Sequence, residues 1–147
     1  MTFHEVKYLV SFLTTALVST LYALRVRTLA AEGFFSGPDG DLLTGRALLI
    51  LIGLVVGAGI VGQIVLSITA AILGHTPEYD DDERDRQIDM RAMRVAFVLV
   101  GMAMIGALAL LATGSTPFLT LHILVFGMVA AGLIADLWRI ALYRRGF

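Results

Sequence analysis

The 147-residue chain contains no cysteine and little charge. Without cysteine, disulfides, thiolate metal sites and a cysteine nucleophile are all excluded. Charged residues make up only 16% of the chain and hydrophobic residues 58%, whereas about a quarter of a soluble domain is charged. The eleven Lys and Arg residues are spread over several segments, and the net charge is −1, so no basic face is available for nucleic acid. This composition indicates a chain that folds in a non-aqueous solvent.

Long stretches of the chain have no Asp, Glu, Lys or Arg. They cover residues 8–24, 47–74 and 95–135. Because a helix rises about 1.5 Å per residue and needs about 20 residues to cross the hydrocarbon, the last stretch must hold two crossings. A turn signal lies in its middle, at Thr113-Gly114-Ser115-Thr116-Pro117. The sequence therefore predicts an all-α fold, a transmembrane bundle of four helices in a single domain over residues 1–147. The predicted spans are about 6–27, 46–74, 93–113 and 117–143.

The first span has an alternative interpretation. Its 17 uncharged residues are close to the lower limit for a crossing, and Lys7 with Leu29-Ala30-Ala31 could belong to a secretory signal peptide. However, Arg25 and Arg27 close the span, and long Arg side chains can reach the interface and so extend the usable length. We therefore expect a retained helix.

The distribution of Lys and Arg predicts the orientation. With four spans, the side that holds both termini carries eight basic residues, and the opposite side carries three. The positive-inside rule then places both termini and the acidic loop at 75–92 in the cytoplasm, and the loop at 28–45 outside. The expected location is the cytoplasmic (inner) membrane of a prokaryote, as a multi-pass protein whose first partner is the lipid bilayer.

The cytoplasmic segment begins with acidic residues and ends with basic ones. We expect a helix to start near residues 80–82, because acidic side chains are favoured at a helix N-terminus. Asp82, Glu83, Arg84 and Asp85 are candidates for binding a cytoplasmic protein partner. Divalent-cation binding by the consecutive Asp residues is an alternative, although the ligand spacing of an EF-hand is absent. We predict no metal site and no cofactor.

Small residues are concentrated in the second span. They form the motifs Gly53-x-x-x-Gly57 and Ala58-x-x-x-Gly62. Such spacing lets two helix backbones approach closely. It predicts tight packing against a neighbouring helix, with self-association or another membrane protein as the partner.

Polar side chains within the predicted spans are functional candidates because burying them is costly. Gln63 is near the middle of the second span, where a hydrogen bond between helices would explain it. His122 lies toward the outer end of the fourth span, and Asp136 with Arg139 can form a local ion pair at its inner end. The Ser and Thr residues of the first span have no evident His or Asp partner to activate them, and no catalytic residue is predicted.

Two stretches together resemble a known family. Asp82-Glu83-Arg84-Asp85 is followed by Ile88 and by Arg91-Ala92-Met93-Arg94, and the chain continues to Tyr143-Arg144-Arg145-Gly146. Over residues 80–147 this combination resembles a family of small predicted membrane proteins of bacteria and archaea, classed as a domain of unknown function. The resemblance implies four spans and supplies no catalytic or ligand residue.

The function that we expect is non-enzymatic. The chain would act as a scaffold or regulatory subunit, through helix packing and through its charged cytoplasmic loop. The alternative is a small oligomeric transporter or channel, with Gln63, His122 and Asp136 lining the path. An enzyme acting on lipid has no supporting constellation of residues.

Overall fold

A computed structural model describes residues 3–72 and 83–145. These residues form four α-helices. The helices are α1 (Phe3–Ala31), α2 (Gly40–Ile72), α3 (Glu83–Ala112) and α4 (Pro117–Arg144). Each is long and apolar enough to cross a membrane. The predicted all-helical fold is therefore confirmed, while the expected helix start at 80–82 lies outside the described residues.

Glycine ends two of the helices. Gly33 after α1 and Gly114 after α3 have φ angles of 78° and 76°, in the left-handed region that glycine adopts without a steric penalty. The Gly114 N–H donates to the Leu111 carbonyl, and the Ser115 N–H donates to the Leu110 carbonyl. This pair of bonds is a Schellman motif, which satisfies the last carbonyl groups of the helix. The same pair of bonds surrounds Gly33.

Helix α4 begins directly after this turn. Thr116 is its N-cap, and the Thr116 side chain accepts a hydrogen bond from the Leu119 N–H at 3.4 Å. Pro117 occupies the first helical position, where a missing N–H has no consequence. The turn predicted at 113–117 is thus confirmed, and it makes α3 and α4 antiparallel neighbours.

Helix α4 lies at the centre of the arrangement. It packs against α1, α2 and α3, and α1 also packs along α2. Within the described residues, the backbone of α3 approaches only α4, so α2 and α3 are not neighbours. A gap between α2 and α3 follows from this arrangement, with α4 at its base.

Small residues set the closest approach between helices. A Cβ placed on Gly127 of α4 would collide with the Cβ of Ala103 on α3. Ala131 and Ala135, one and two turns further along α4, are also buried, as is Ala107 on α3. Such side chains let helix axes approach closely, which is the usual basis of helix association in a membrane.

The two small-residue motifs of α2 face different surroundings. A Cβ on Gly62 would lie 3.3 Å from Val10 Cγ1 and 3.5 Å from Thr14 Oγ1, so this part of α2 packs on α1. In contrast, a Cβ on Gly53 or Gly57 would meet no atom within 4 Å. Within this chain, the predicted close packing therefore holds at Gly62, and the Gly53-x-x-x-Gly57 face is open.

Large apolar side chains face outward along all four helices. Examples from each helix in turn are Leu17, Leu49, Phe97 and Leu137. Soluble monomers rarely expose contiguous apolar surface on this scale, because water penalises it. The surface is typical of helices that contact lipid.

Candidate functional site

The main polar feature of the described residues is a cluster of side chains at the end where α1 and α3 begin and α4 ends. We call it the polar cluster. It contains charged and aromatic side chains from all three helices: His4, Tyr8, Asp85, Asp89, Asp136, Arg139 and Tyr143. These residues come together because α3 and α4 are antiparallel and α1 lies beside α4.

Arg139 is the centre of the polar cluster. Its Nε donates to Asp89 Oδ1 at 2.7 Å, and its Nη1 donates to Asp136 Oδ1 at 2.9 Å. The guanidinium carbon also lies 5.0 Å from the centre of the Tyr8 ring, within the range of a cation–π contact. The Tyr8 hydroxyl donates to Asp89 Oδ1 at 2.9 Å. One arginine thus joins α1, α3 and α4.

Asp85 makes a second connection between the same helices. The Tyr143 hydroxyl donates to Asp85 Oδ1 at 2.7 Å, and His4 Nε2 lies 3.7 Å from Asp85 Oδ2. The His4 and Tyr143 rings stack with their centres 5.8 Å apart. Asp85 therefore faces the interior of the bundle, where its carboxylate binds side chains of α1 and α4.

The spacing of these residues explains why the cluster forms. Asp85 and Asp89 are one helical turn apart on α3, and Arg139 and Tyr143 are one turn apart on α4. Because the helices are antiparallel, Asp89 meets Arg139 and Asp85 meets Tyr143. Repulsion between the two carboxylates on α3 is thus offset by donors from α4.

The sequence prediction found part of this site. Asp136 and Arg139 form the expected ion pair at 2.9 Å. The contributions of Tyr8, Asp89 and Tyr143 were missed. The matching one-turn spacings on α3 and α4 are the signal that could have revealed Asp89 and Tyr143.

The candidate partner-binding residues that the structure describes differ in their exposure to solvent. Glu83 and Arg84 are exposed at the start of α3, whereas Asp85 is half-buried in the polar cluster. Asp82 lies outside the described residues. The accessible part of this motif is therefore Glu83 and Arg84.

A second cluster lies at the opposite end of the bundle, and it is aromatic. His122 Nδ1 lies 2.7 Å from the Phe118 carbonyl, and His122 Nε2 lies 3.1 Å from the Tyr22 hydroxyl. Since a carbonyl only accepts, the Phe118 carbonyl accepts from Nδ1–H, and in the neutral ring Nε2 then accepts from the Tyr22 hydroxyl. Phe35 packs against Phe118 at a centroid distance of 5.0 Å and so brings the 32–39 loop onto the bundle. His122 is buried and fully bonded within this aromatic cluster.

Gln63 connects α2 to α1, as the sequence predicted. Its Nε2 donates to the Lys7 carbonyl at 3.2 Å. Gln63 also lines a cleft of 450 Å³ together with Ser11 and Thr15 of α1. A larger cleft of 510 Å³ adjoins it in the gap between α2 and α3, and Asp136 lines that cleft. Gln63 and Asp136 thus line two adjoining clefts, whereas His122 lies at the other end of the bundle.

The polar cluster has the features of a structural site. Each hydrogen bond in it joins two different helices or supports the arginine that does so. Within residues 3–72 and 83–145, no three His, Asp or Glu side chains are grouped so that they could hold a metal ion. The cluster holds α1, α3 and α4 together by charge-assisted hydrogen bonds, which are stronger than hydrogen bonds between neutral groups.

The four candidate membrane-spanning helices indicate a multi-pass membrane protein. The chain matches no protein-family model, and no curated protein or solved structure shows significant similarity to it.

Proposed function

We propose that the protein is an integral protein of a prokaryotic cytoplasmic membrane, with both termini in the cytoplasm, and that it acts as a non-enzymatic scaffold or regulatory subunit. Two surfaces would serve this role. One is the open Gly53-x-x-x-Gly57 face of α2, and the other is the exposed start of α3 at Glu83 and Arg84.

The observation that carries the proposal is the contrast among the glycines of α2. Gly62 is occupied by α1, whereas Gly53 and Gly57 have open space above them. In a bilayer, lipid tails are as apolar as the helix surface, so close backbone approach is a main source of association. The two open glycines, with exposed Ile50 and Ile64 a turn or two beyond them, are suited to a second copy of the same helix.

Transport is the alternative, and the contacts of its three candidate residues favour the scaffold. Gln63 and Asp136 line adjoining clefts, but His122 is bonded to Tyr22 at the far end of the bundle. Asp136 is paired with Arg139 of the same helix, whose guanidinium also binds Asp89. A path through all three side chains would have to break these bonds.

The double variant Gly53→Leu with Gly57→Leu tests self-association. Filling the open face should raise the dissociation constant of a dimer in lipid by about tenfold or more, because overpacking an interface costs about 1–3 kcal/mol. The measurement is single-molecule photobleaching of labelled protein diluted over a range of protein-to-lipid ratios.

The matched control is Gly106→Leu on α3, where a Cβ likewise meets no atom within 4 Å. This variant should dimerise as the unmodified protein does. The proposal fails if the unmodified protein is monomeric at every ratio, or if the double variant dimerises with unchanged affinity.

A further inference from the structure

A groove of 420 Å³ lies between α1 and α4, away from the polar cluster. Its walls include Ala16 and Ala23 from α1 and Phe126 and Leu133 from α4. The α1 residues recur at helical spacing, so they form one continuous stripe. Short alanine side chains leave room there that larger residues would fill.

One basic side chain, that of Arg27, lies at the end of this groove. Arg27 lines it and is exposed, and no described acidic side chain forms an ion pair with Arg27. Arg25, two residues earlier, is also exposed but does not line the groove. Two residues along a helix correspond to a rotation of about 200°, so the two arginines point to nearly opposite faces.

The dimensions of the groove fit one leaflet of a bilayer. From Ala16 to Arg27, α1 rises about 16 Å, and half of the hydrocarbon thickness is about 15 Å. A molecule with an anion at Arg27 would therefore have its apolar part alongside the groove down to the middle of the membrane.

We propose that this groove binds one anionic phospholipid. The Arg27 guanidinium donates to the lipid phosphate, and one acyl chain lies in the groove between α1 and α4. Arginine matches phosphate oxygens in charge and geometry. A free phosphate would leave the alanine-lined wall without a ligand, so the amphipathic lipid is the occupant that fits both ends. The proposal depends on the membrane insertion argued above but not on self-association.

The test is native mass spectrometry of the protein in neutral detergent, titrated with phosphatidylglycerol or with phosphatidylcholine. The unmodified chain should bind one phosphatidylglycerol more tightly than phosphatidylcholine. Arg27→Gln should weaken the binding of phosphatidylglycerol by about tenfold, since it removes a charge-assisted contact. Ala130→Phe, which fills the groove and keeps the charge, should weaken it by a similar factor.

Two matched controls test whether the weaker binding comes from the groove and not from the loss of any charge or the addition of any ring. Arg25→Gln removes the same charge from the opposite face of α1, and Ala109→Phe adds the same ring to an exposed position on α3. Both should bind phosphatidylglycerol like the unmodified chain. The site is overturned if Arg27→Gln binds normally, if Arg25→Gln is equally weakened, or if the two lipids bind equally well. The dimer assay on Arg27→Gln separates the two proposals, because this variant should retain the self-association of the unmodified protein.

Discussion

At the scale of single residues, Arg139 shows how a charged group can be accommodated beside an apolar bundle. Its guanidinium uses separate nitrogens for Asp89 and Asp136, and its face lies over the Tyr8 ring. A buried charge without partners would be strongly unfavourable, whereas a hydrogen-bonded pair in good geometry is tolerated. The polar cluster therefore fixes three helices at one end of the bundle.

Replacing Asp89 with Asn tests this arrangement. The variant loses the negative charge that accepts from both Arg139 and Tyr8. Hydrogen bonds to charged groups contribute about 1.5–3 kcal/mol. Because the Asp89 side chain is 44% exposed, solvent screening reduces this contribution. We expect the free energy of unfolding to fall by about 1–2 kcal/mol, as measured by denaturant titration in detergent micelles.

The control for this prediction is Glu32→Gln, which removes an exposed carboxylate just after α1. Surface changes of this kind usually alter stability by no more than about 0.5 kcal/mol. Equal losses in the two variants would show that Asp89 has no special role.

The sequence predicts local partners better than distant ones. Asp136 and Arg139 are three residues apart, so their ion pair follows from helix geometry alone. Asp89 is 50 residues from Arg139, and Tyr8 is 81 residues from Asp89. Those contacts depend on which helices are neighbours and in what register, and hydrophobic periodicity does not specify either.

At the scale of helices, the ends are predicted well because they depend on nearby residues. Gly114 and Pro117 each have a conformational effect that acts within a few residues. The direction that a small-residue motif faces cannot be predicted from nearby residues, because Gly53 and Gly62 lie in similar motifs. Only the structure separates the open face from the one that α1 covers.

The contact between α3 and α4 gives a prediction at this scale. Gly127→Leu should lower the free energy of unfolding by about 1–3 kcal/mol, because the new side chain collides with Ala103 and forces the helices apart. Thermal unfolding in detergent, or a denaturant titration, would measure the loss.

Gly132→Leu on the same helix is the matched control. A Cβ at Gly132 meets no atom within 4 Å, so the larger side chain has room. The intrinsic gain in helix propensity is the same for both substitutions and cancels in the comparison. If Gly132→Leu were as destabilising as Gly127→Leu, the close approach at Ala103 would not be the cause.

At the scale of the whole molecule, the two ends of the bundle differ in chemistry. One end has the polar cluster and the arginines at the start of α3, and the other has the aromatic cluster around His122. The arginines at the first end are among those from which the positive-inside rule predicts a cytoplasmic location, and that orientation stays a prediction. Composition was sufficient to predict four apolar helices, but the central position of α4 and the gap between α2 and α3 required three-dimensional packing.

The most direct test of the account is the accessibility of single cysteines, which the cysteine-free chain makes possible. Ser36→Cys places a thiol in the loop between α1 and α2, and Arg84→Cys places one at the exposed start of α3. In intact cells, a membrane-impermeant maleimide should label the thiol at 36 and should reach the thiol at 84 only after the membrane is permeabilised. Labelling of both positions on one side of the membrane, or the reverse pattern, would contradict the four-span topology with cytoplasmic termini.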